Sequence, residues 1–303
     1  MKKQVTEEKL FNILGTRKIW YTISSVMIIA TFIAWIAFGF NLGIDFTGGS
    51  LMQVKYPDVA PSSAEIADQL SGLDLSEVVV QPSDETTVIL KVPFVSNEQR
   101  QEILSTLGEG VVEESFESIG PTIGQELREK SITAIILVVI AIIVYVAVAF
   151  RKVSQGPVPS WAFGVSAIIA LLHDILITLG VFLVLGHYFG VEINVMFITA
   201  LLTILGFSVN DTIVVFDRIR EGLRRSQQEN FEGVINESIN HTMMRSLNTS
   251  ITTLIVLFAL YLFGGETIKY FVLALIIGIT AGTYSSIFIA SPLLLLWQKV
   301  LKR

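Results

Sequence analysis

Apolar residues in this chain come in long unbroken runs more than in one-sided stripes. Six stretches reach the roughly 20 apolar residues that a helix needs to cross a hydrocarbon core. They are 19–40, 132–150, 161–186, 193–216, 245–264 and 269–297. The fifth starts polar, with Ser246, Asn248, Thr249, Ser250, Thr252 and Thr253. The first is longer than the apolar region of a secretory signal, and no small-x-small cleavage pattern follows it, so it is read as an uncleaved helix.

Between the first and second runs, over 41–131, the pattern shortens. SLMQVKY (50–56) reads as a strand, and a helix is expected from Pro61 to Leu70. SEVVVQP (76–82) and TTVILKV (86–92) read as strands about an Asp84-Glu85 turn. Ser96 caps a helix reaching Leu107, and GVVEESF (110–116) reads as a strand. The order β-α-β-β-α-β is the split motif of ferredoxin-like α+β domains. Gly120-Pro121 and Gly124 then break the chain ahead of a charged helical lead, Gln125 to Lys130. The expected organisation is an N-terminus with the first span (1–40), an external domain (41–131) and a five-span region (132–303).

Composition agrees with the pattern. The 303 residues are 52% hydrophobic and only 16% charged, against roughly 25% charged in soluble domains. Mean hydropathy is +0.65. Without cysteine, disulfides, thiolate chemistry and cysteine-ligated metals are excluded. His173, His187 and His241 have no metal-ligand spacing, so neither metal nor cofactor is expected. The external domain shows no Ser-His-Asp or paired-carboxylate arrangement, and an enzyme is not expected.

The net charge of −6 matters less than where the charges fall. With the N-terminus on the cytoplasmic side, fifteen of the 21 lysines and arginines lie in the segments on that side. The six on the other side are Lys55, Lys91, Arg100, Arg128, Lys130 and Lys269. By the positive-inside rule both termini are cytoplasmic and the 41–131 domain is external.

Ionisable residues inside spans are costly and are functional candidates by default. Asp211 lies near the cytoplasmic end of the fourth run, within GFSVNDTIVVFDRIRE (206–221). It either snorkels, or merely hydrogen-bonds Ser208 and Thr212, or pairs with Arg245, which opens the antiparallel fifth run at a similar depth. Arg245, Thr249, Thr252 and Thr253 share one helical face. That polar stripe suits either a water-assisted proton path or ordinary hydrogen bonding between helices. Asp174 sits mid-span beside His173, either as a hydrogen-bonded neutral acid joining helices or as a second titrating group. His173 is read chiefly as a packed or bonded core histidine.

Asp217, Arg218, Arg220 and Glu221 form an interfacial charged cap or, on a sharper reading, a docking site. Gly278 and Gly282 allow a second helix to approach the sixth span closely. Gly48-Gly49, after Asp45, lacks the Gly-Lys-Ser/Thr of a phosphate loop and reads as a tight hinge between span and domain.

Six spans with a folded domain after the first make half of a twelve-helix resistance-nodulation-division (RND) architecture. GIDFTGG (43–49), IGPTIGQEL (119–127), LLHDILIT (171–178), GFSVNDTIVVFDRIRE (206–221), RSLNTSITT (245–253) and IGITAGTYSSIFIAS (277–291) run through nearly the whole chain. In that order they resemble the SecD/SecF family of bacterial protein-export membrane subunits, on its SecF side. The resemblance implies several things. A SecD partner would complete the twelve spans. The pair would assist the SecYEG translocon, with further accessory membrane subunits as possible neighbours, and act on unfolded preproteins at the outer face of the bacterial cytoplasmic (inner) membrane. Drive would come from the proton-motive force; nucleic acid is not among the expected partners. Positions matching Asp211 and Arg245 belong to the family's proton-transport region, with Asp174 a secondary match. Neutralising Asp211 would then repack the helices and move the outer domain through the first span and the Gly48-Gly49 hinge. Two alternatives stay open: half of an RND-type small-molecule exporter, and an assembly factor whose charges only lock two subunits together.

Overall fold

The computed structural model describes residues 10–73, 75, 78–150, 157–225 and 231–301. Lys2, Lys3, Lys9, Arg151, Lys152, Lys302 and Arg303, which enter the charge bias, lie outside the described residues, as do positions 76 and 77 of the expected second strand. Six helices are long and apolar enough to cross a membrane. The chain divides into two compact units, each described by itself. One holds Phe40–Ala134 with Tyr188–Val195; the other holds the residues up to Gly39, Ile135–His187 and the chain from Met196 onward.

In chain order the elements are α1 (Arg17–Phe38), α2 (Ile44–Thr47), β1 (Gly49–Lys55), α3 (Ser63–Leu70), β2 (Val79–Pro82), β3 (Thr87–Val92), α4 (Asn97–Leu107) and β4 (Val112–Ile119). They continue with α5 (Pro121–Phe150), α6 (Ser160–Phe189), α7 (Val195–Arg225), α8 (Phe231–Phe263) and α9 (Glu266–Ser285). A π-helical turn (Ser286–Ala290) then leads into α10 (Ser291–Leu301).

The first unit is a ferredoxin-like α+β domain. Its strands lie in the order β2-β3-β1-β4, every pair antiparallel. Alternation decides which face is covered: Met52 and Val54 of β1 and Val88, Leu90 and Val92 of β3 turn inward. Ile66 and Leu70 of α3 and Ile103 and Leu107 of α4 pack onto them. Each such side chain contributes on the order of 1.5–3 kcal/mol by leaving water. Both helices start in capping boxes. Ser62 accepts from the Glu65 amide while Glu65 reaches back to the Ser62 amide, and Ser96 and Gln99 repeat the exchange. Asp84 holds the β2–β3 turn by accepting from the amides of Thr86 at 2.7 Å and Thr87 at 2.8 Å.

Several sequence expectations needed correction. Pro61 does not start a helix; Ser62 caps one at Ser63. Gly120-Pro121 and Gly124 do not break the chain ahead of a separate lead. Pro121 occupies the first helical position, which needs no N–H, and α5 runs unbroken for 30 residues. Residues 217–225 and 231–244, beyond the expected spans, are helical and lengthen α7 and α8. The sixth run is one helix only up to Ser285, where the π turn interrupts it.

In the second unit, the core gathers around Phe150, Phe163 and Phe216, with Phe150 and Phe163 stacked 5.5 Å apart. Open faces of α1, α5 and the last turns of α8 are apolar, with Ile36 at 84% and Phe263 at 87% exposed. Such faces suit lipid or another apolar helix rather than water.

Candidate functional site

α7 carries Asp211, whose residue is 4% exposed and whose Oδ2 is buried without a hydrogen-bond partner. The adjoining Thr212 hydroxyl is in the same state, and so is the Ser246 hydroxyl on α8. Arg245 of α8 is exposed and is the cation whose field reaches Asp211. Among the described residues no ion pair or hydrogen bond joins the two. The bond expected from Ser208 to Asp211 is absent as well, because the Ser208 hydroxyl points to α6. Asp211 is thus a sheltered carboxyl group with unmet hydrogen-bonding capacity.

Val214, Arg218 and Glu221 follow Asp211 at +3, +7 and +10, on the same face of α7. With Asp217 and with His241, Thr242 and Arg245 of α8 they line a cavity of about 370 Å³. A neighbouring cavity of about 290 Å³ lies against Gly222, Val234 and Glu237. Polar, roomy clefts of this kind hold water readily. Asp217 and Arg218, singled out as part of a charged cap, are paired along their own helix: Asp217 with Arg220 at 2.5 Å and Arg218 with Glu221 at 2.6 Å.

The threonine stripe does not face into this chain. Thr249 and Thr252 are exposed and Thr253 is half-buried. Their hydroxyls bond their own helix: Thr249 to the Arg245 carbonyl, Thr252 to that of Asn248 and Thr253 to that of Thr249. Together with Arg245 they leave a polar strip on the open surface of α8.

Asp174 of α6 is 0% exposed and sits at the junction of four helices. Its Oδ2 accepts from Ser208 of α7 at 2.6 Å and from Ser285 of α9 at 2.9 Å. Its Oδ1 lies 3.0 Å from His173 Nδ1. His173 Nε2 lies 3.1 Å from the Ser24 hydroxyl of α1, which is 3.0 Å from Tyr284 Oη of α9. Thr178, one turn on, bonds the Asp174 main-chain carbonyl rather than its carboxylate. Ser24, Ser285 and Tyr284 were missed in the sequence; the signal was hydroxyl-bearing residues within the spans, but their convergence on the His173–Asp174 pair is set only by tertiary structure.

The glycine pair of α9 meets α7 of the same chain. A Cβ on Gly278 would lie 2.1 Å from Ile204 Cδ1, and one on Gly282 would lie 2.9 Å from Ser208 Cβ. That close approach brings Ser208 and Ser285 onto one carboxylate.

In the other unit, Gly48 (φ 71°) and Gly49 (φ 131°) take backbone conformations that side chains resist. Cβ atoms there would strike Pro121 Cα at 2.8 Å and the Val92 carbonyl at 2.9 Å. The pair therefore sits in a tight crossing. Asp45, just before it, accepts from the Val195 amide at 2.8 Å and so caps α7. Lys91 of β3 closes the same corner, bonding the Leu42 carbonyl and Glu192, each at 3.0 Å.

Among the described residues no cluster of three or more His, Asp or Glu could hold a metal ion.

Comparison with known proteins adds a family to this geometry. The model for the C-terminal part of the SecD/SecF protein export membrane protein matches residues 99–300, and that for the SecD/SecF GG motif matches residues 33–56. The chain is 42% identical to a protein translocase subunit SecF from Thermobaculum terrenum, over 95% of this chain and 94% of the relative. The crystal structure of SecDF, a translocon-associated membrane protein from Thermus thermophilus, superposes with a TM-score of 0.84 at 33% identity. It covers 96% of this chain, which spans only 39% of the length of that one. SecDF in a super-membrane-facing form matches with a TM-score of 0.70 at 32% identity, over 97% of this chain and 40% of the other. Six membrane-length helices, a ferredoxin-like domain and motifs matched from the GG loop to α10 place this multi-pass bacterial membrane protein in the SecD/SecF family of protein-export membrane proteins.

Proposed function

We propose that this chain works with a SecD partner as an accessory of protein export, drawing on the proton-motive force to promote preprotein passage through SecYEG. The observation that carries the reading is Asp211: a sheltered carboxylate within a membrane-length helix, one oxygen unpartnered, in the field of Arg245. The polar strip of Arg245, Thr249 and Thr252 faces out of the chain, where a partner's helices would cover it. The SecDF relatives, which hold both halves by name, support SecD as that partner.

A proton arriving at Asp211 neutralises it and removes its attraction for Arg245. The helices then relax toward a second packing. One charge falling through 100 mV supplies about 2.3 kcal/mol, enough to shift a two-state equilibrium nearly fiftyfold. The motion has a route besides the Gly48-Gly49 loop, because α7 bears Asp211 and its first amide is held by Asp45. The external domain would alternately hold and release the emerging chain. That SecDF occurs in a named super-membrane-facing form supports motion of this kind.

The test is Asp211→Asn in the chain co-produced with SecD. Normal co-purification with loss of proton-dependent export supports the reading. Unchanged export overturns it, and loss of the complex itself favours a subunit lock. Export of small molecules rather than preproteins by the intact pair would point to an RND-type exporter half.

A further inference from the structure

The buried chain of hydrogen bonds around Asp174 allows its protons to be counted. Tyr284 Oη donates to the Trp20 carbonyl at 3.1 Å. Its single hydrogen is then committed, so in the 3.0 Å contact with Ser24 the serine is the donor. That commits the hydrogen of Ser24. In the 3.1 Å contact with His173 the ring Nε2–H must therefore donate to Ser24 Oγ. At the far end Ser208 donates to Asp174 Oδ2, and Ser285 places its one hydrogen there at 2.9 Å rather than on the Gly282 carbonyl at 3.2 Å. One contact is left, His173 Nδ1 to Asp174 Oδ1 at 3.0 Å. With no hydrogen between them these would be two acceptors face to face.

One proton there satisfies both atoms. On nitrogen it makes an imidazolium beside a carboxylate; on oxygen it makes a neutral ring beside a carboxylic acid. Either way the net charge of the pair is zero. The opposite direction of donation, from Tyr284 through Ser24 to a bare Nε2, would abandon the Trp20 carbonyl and leave a net negative charge. His173 is 3% and Asp174 0% exposed, and the groups facing the carboxylate from neighbouring elements are Ser208, Ser285 and, through the ring, Ser24 and Tyr284. Among the described residues His173 is the ionisable side chain in contact with it. An uncompensated charge in that setting is strongly disfavoured.

We propose that His173 and Asp174 form a net-neutral pair sharing one proton, and that they are positioning residues, not carriers. The pair ties α1, α6, α7 and α9 together. Ser208 lies three residues before Asp211 on α7, so the lock sets where the Asp211 segment sits. Traffic of protons and placement of the helix that bears them are separate jobs of two aspartates.

Solid-state NMR of ¹⁵N-histidine-labelled full-length chain in lipid bilayers, with His173 assigned by its loss in His173→Gln, reads the pair directly. A protonated Nε2 and a hydrogen bridging Nδ1 and the Asp174 carboxyl are expected. A bare Nε2, or no hydrogen between Nδ1 and Asp174, would overturn the proposal. The second arm uses the conservative variant. In Asp174→Asn the amide oxygen can accept from Ser208 and Ser285 and the amide nitrogen can donate to Nδ1. Proton-dependent export should stay within about twofold of the parent chain, since each bond can be re-made. Asp174→Leu, which orphans the Ser208 hydroxyl and a ring nitrogen and leaves Ser285 only its 3.2 Å bond to the Gly282 carbonyl, should lose it. Export in Asp174→Asn as defective as in Asp211→Asn, with the SecD complex intact, would overturn the neutral pair; full activity of Asp174→Leu would overturn the positioning role. The export arm rests on the proposed function and the spectroscopic arm does not, so the two can fail separately.

Discussion

Ser208 of α7 donates to Asp174 of α6 across 2.6 Å, three residues before the sheltered Asp211. The bond leads away from Asp211, so adjacent positions on one helix serve different ends. Ser208→Ala leaves Asp174 with one hydroxyl donor fewer in a fully buried setting. Such a loss at a buried carboxylate costs about 1–3 kcal/mol. Thermal unfolding of the chain in lipid nanodiscs should show a lower midpoint, and Ser208→Thr, which keeps the hydroxyl, should restore part of it.

The α7–α9 contact is narrow enough for a double-mutant cycle. Gly278→Ala places its methyl carbon 2.1 Å from Ile204 Cδ1, which is untenable without a shift. Overpacking of this kind costs on the order of 1–3 kcal/mol. Ile204→Ala should remove most of that penalty, giving a coupling of about 0.5–3 kcal/mol between the sites. Additive losses in the same unfolding measurement would show that the glycine is not there for Ile204.

Asp45 caps α7 from a distant point in the sequence. Asp45→Ala removes the acceptor for the Val195 amide and a negative charge at the helix N-terminus. The expected cost is about 0.5–2 kcal/mol. Hydrogen exchange should speed up at Val195 and the first turn of α7 while the middle of α7 stays protected. Unchanged exchange at Val195 would mean the cap contributes nothing.

The β2–β3 turn should loosen in acid. Hydrogen bonds from the Thr86 amide, and then the Thr87 amide, hold the Asp84 carboxyl below the usual aspartate range. A carboxyl depressed in the folded state stabilises that state above its unfolded pKa, and the contribution fades as pH falls through the folded value. Amide exchange at Thr86 and Thr87, corrected for its intrinsic pH dependence, should therefore rise below the ordinary aspartate range. Asp84→Asn keeps an acceptor without a titrating proton and should flatten that rise.

Much of the architecture is legible because the bilayer imposes a length on every crossing helix and requires its backbone groups to be satisfied internally. The six runs, the β-α-β-β-α-β order and the Ser96 cap are properties of short windows. Errors fell where a window carries two meanings. Pro121 and Gly124 look like breakers, yet proline suits the first turn of α5 and Gly124 admits the Gly48 amide, to which a Cβ would come within 2.8 Å. Residues 231–244 look like a loop because they are polar, but beyond the hydrocarbon a helix has no need to be apolar.

The sites divide the same way. The sequence by itself determined that Asp174, Asp211 and Arg245 sit in or beside spans, because a charge among apolar neighbours is visible in one dimension, and that Gly278 and Gly282 make a face smooth enough for another helix. Only the tertiary structure decided that α7 is that helix, that Ser208 serves Asp174 rather than Asp211, and that Thr249 and Thr252 of α8 face outward. The reason is physical: a side chain's depth follows from counting residues along its own helix, whereas its partner depends on how neighbouring helices are rotated about their axes. Packing of the whole bundle sets that rotation, as at the glycine contact between α9 and α7.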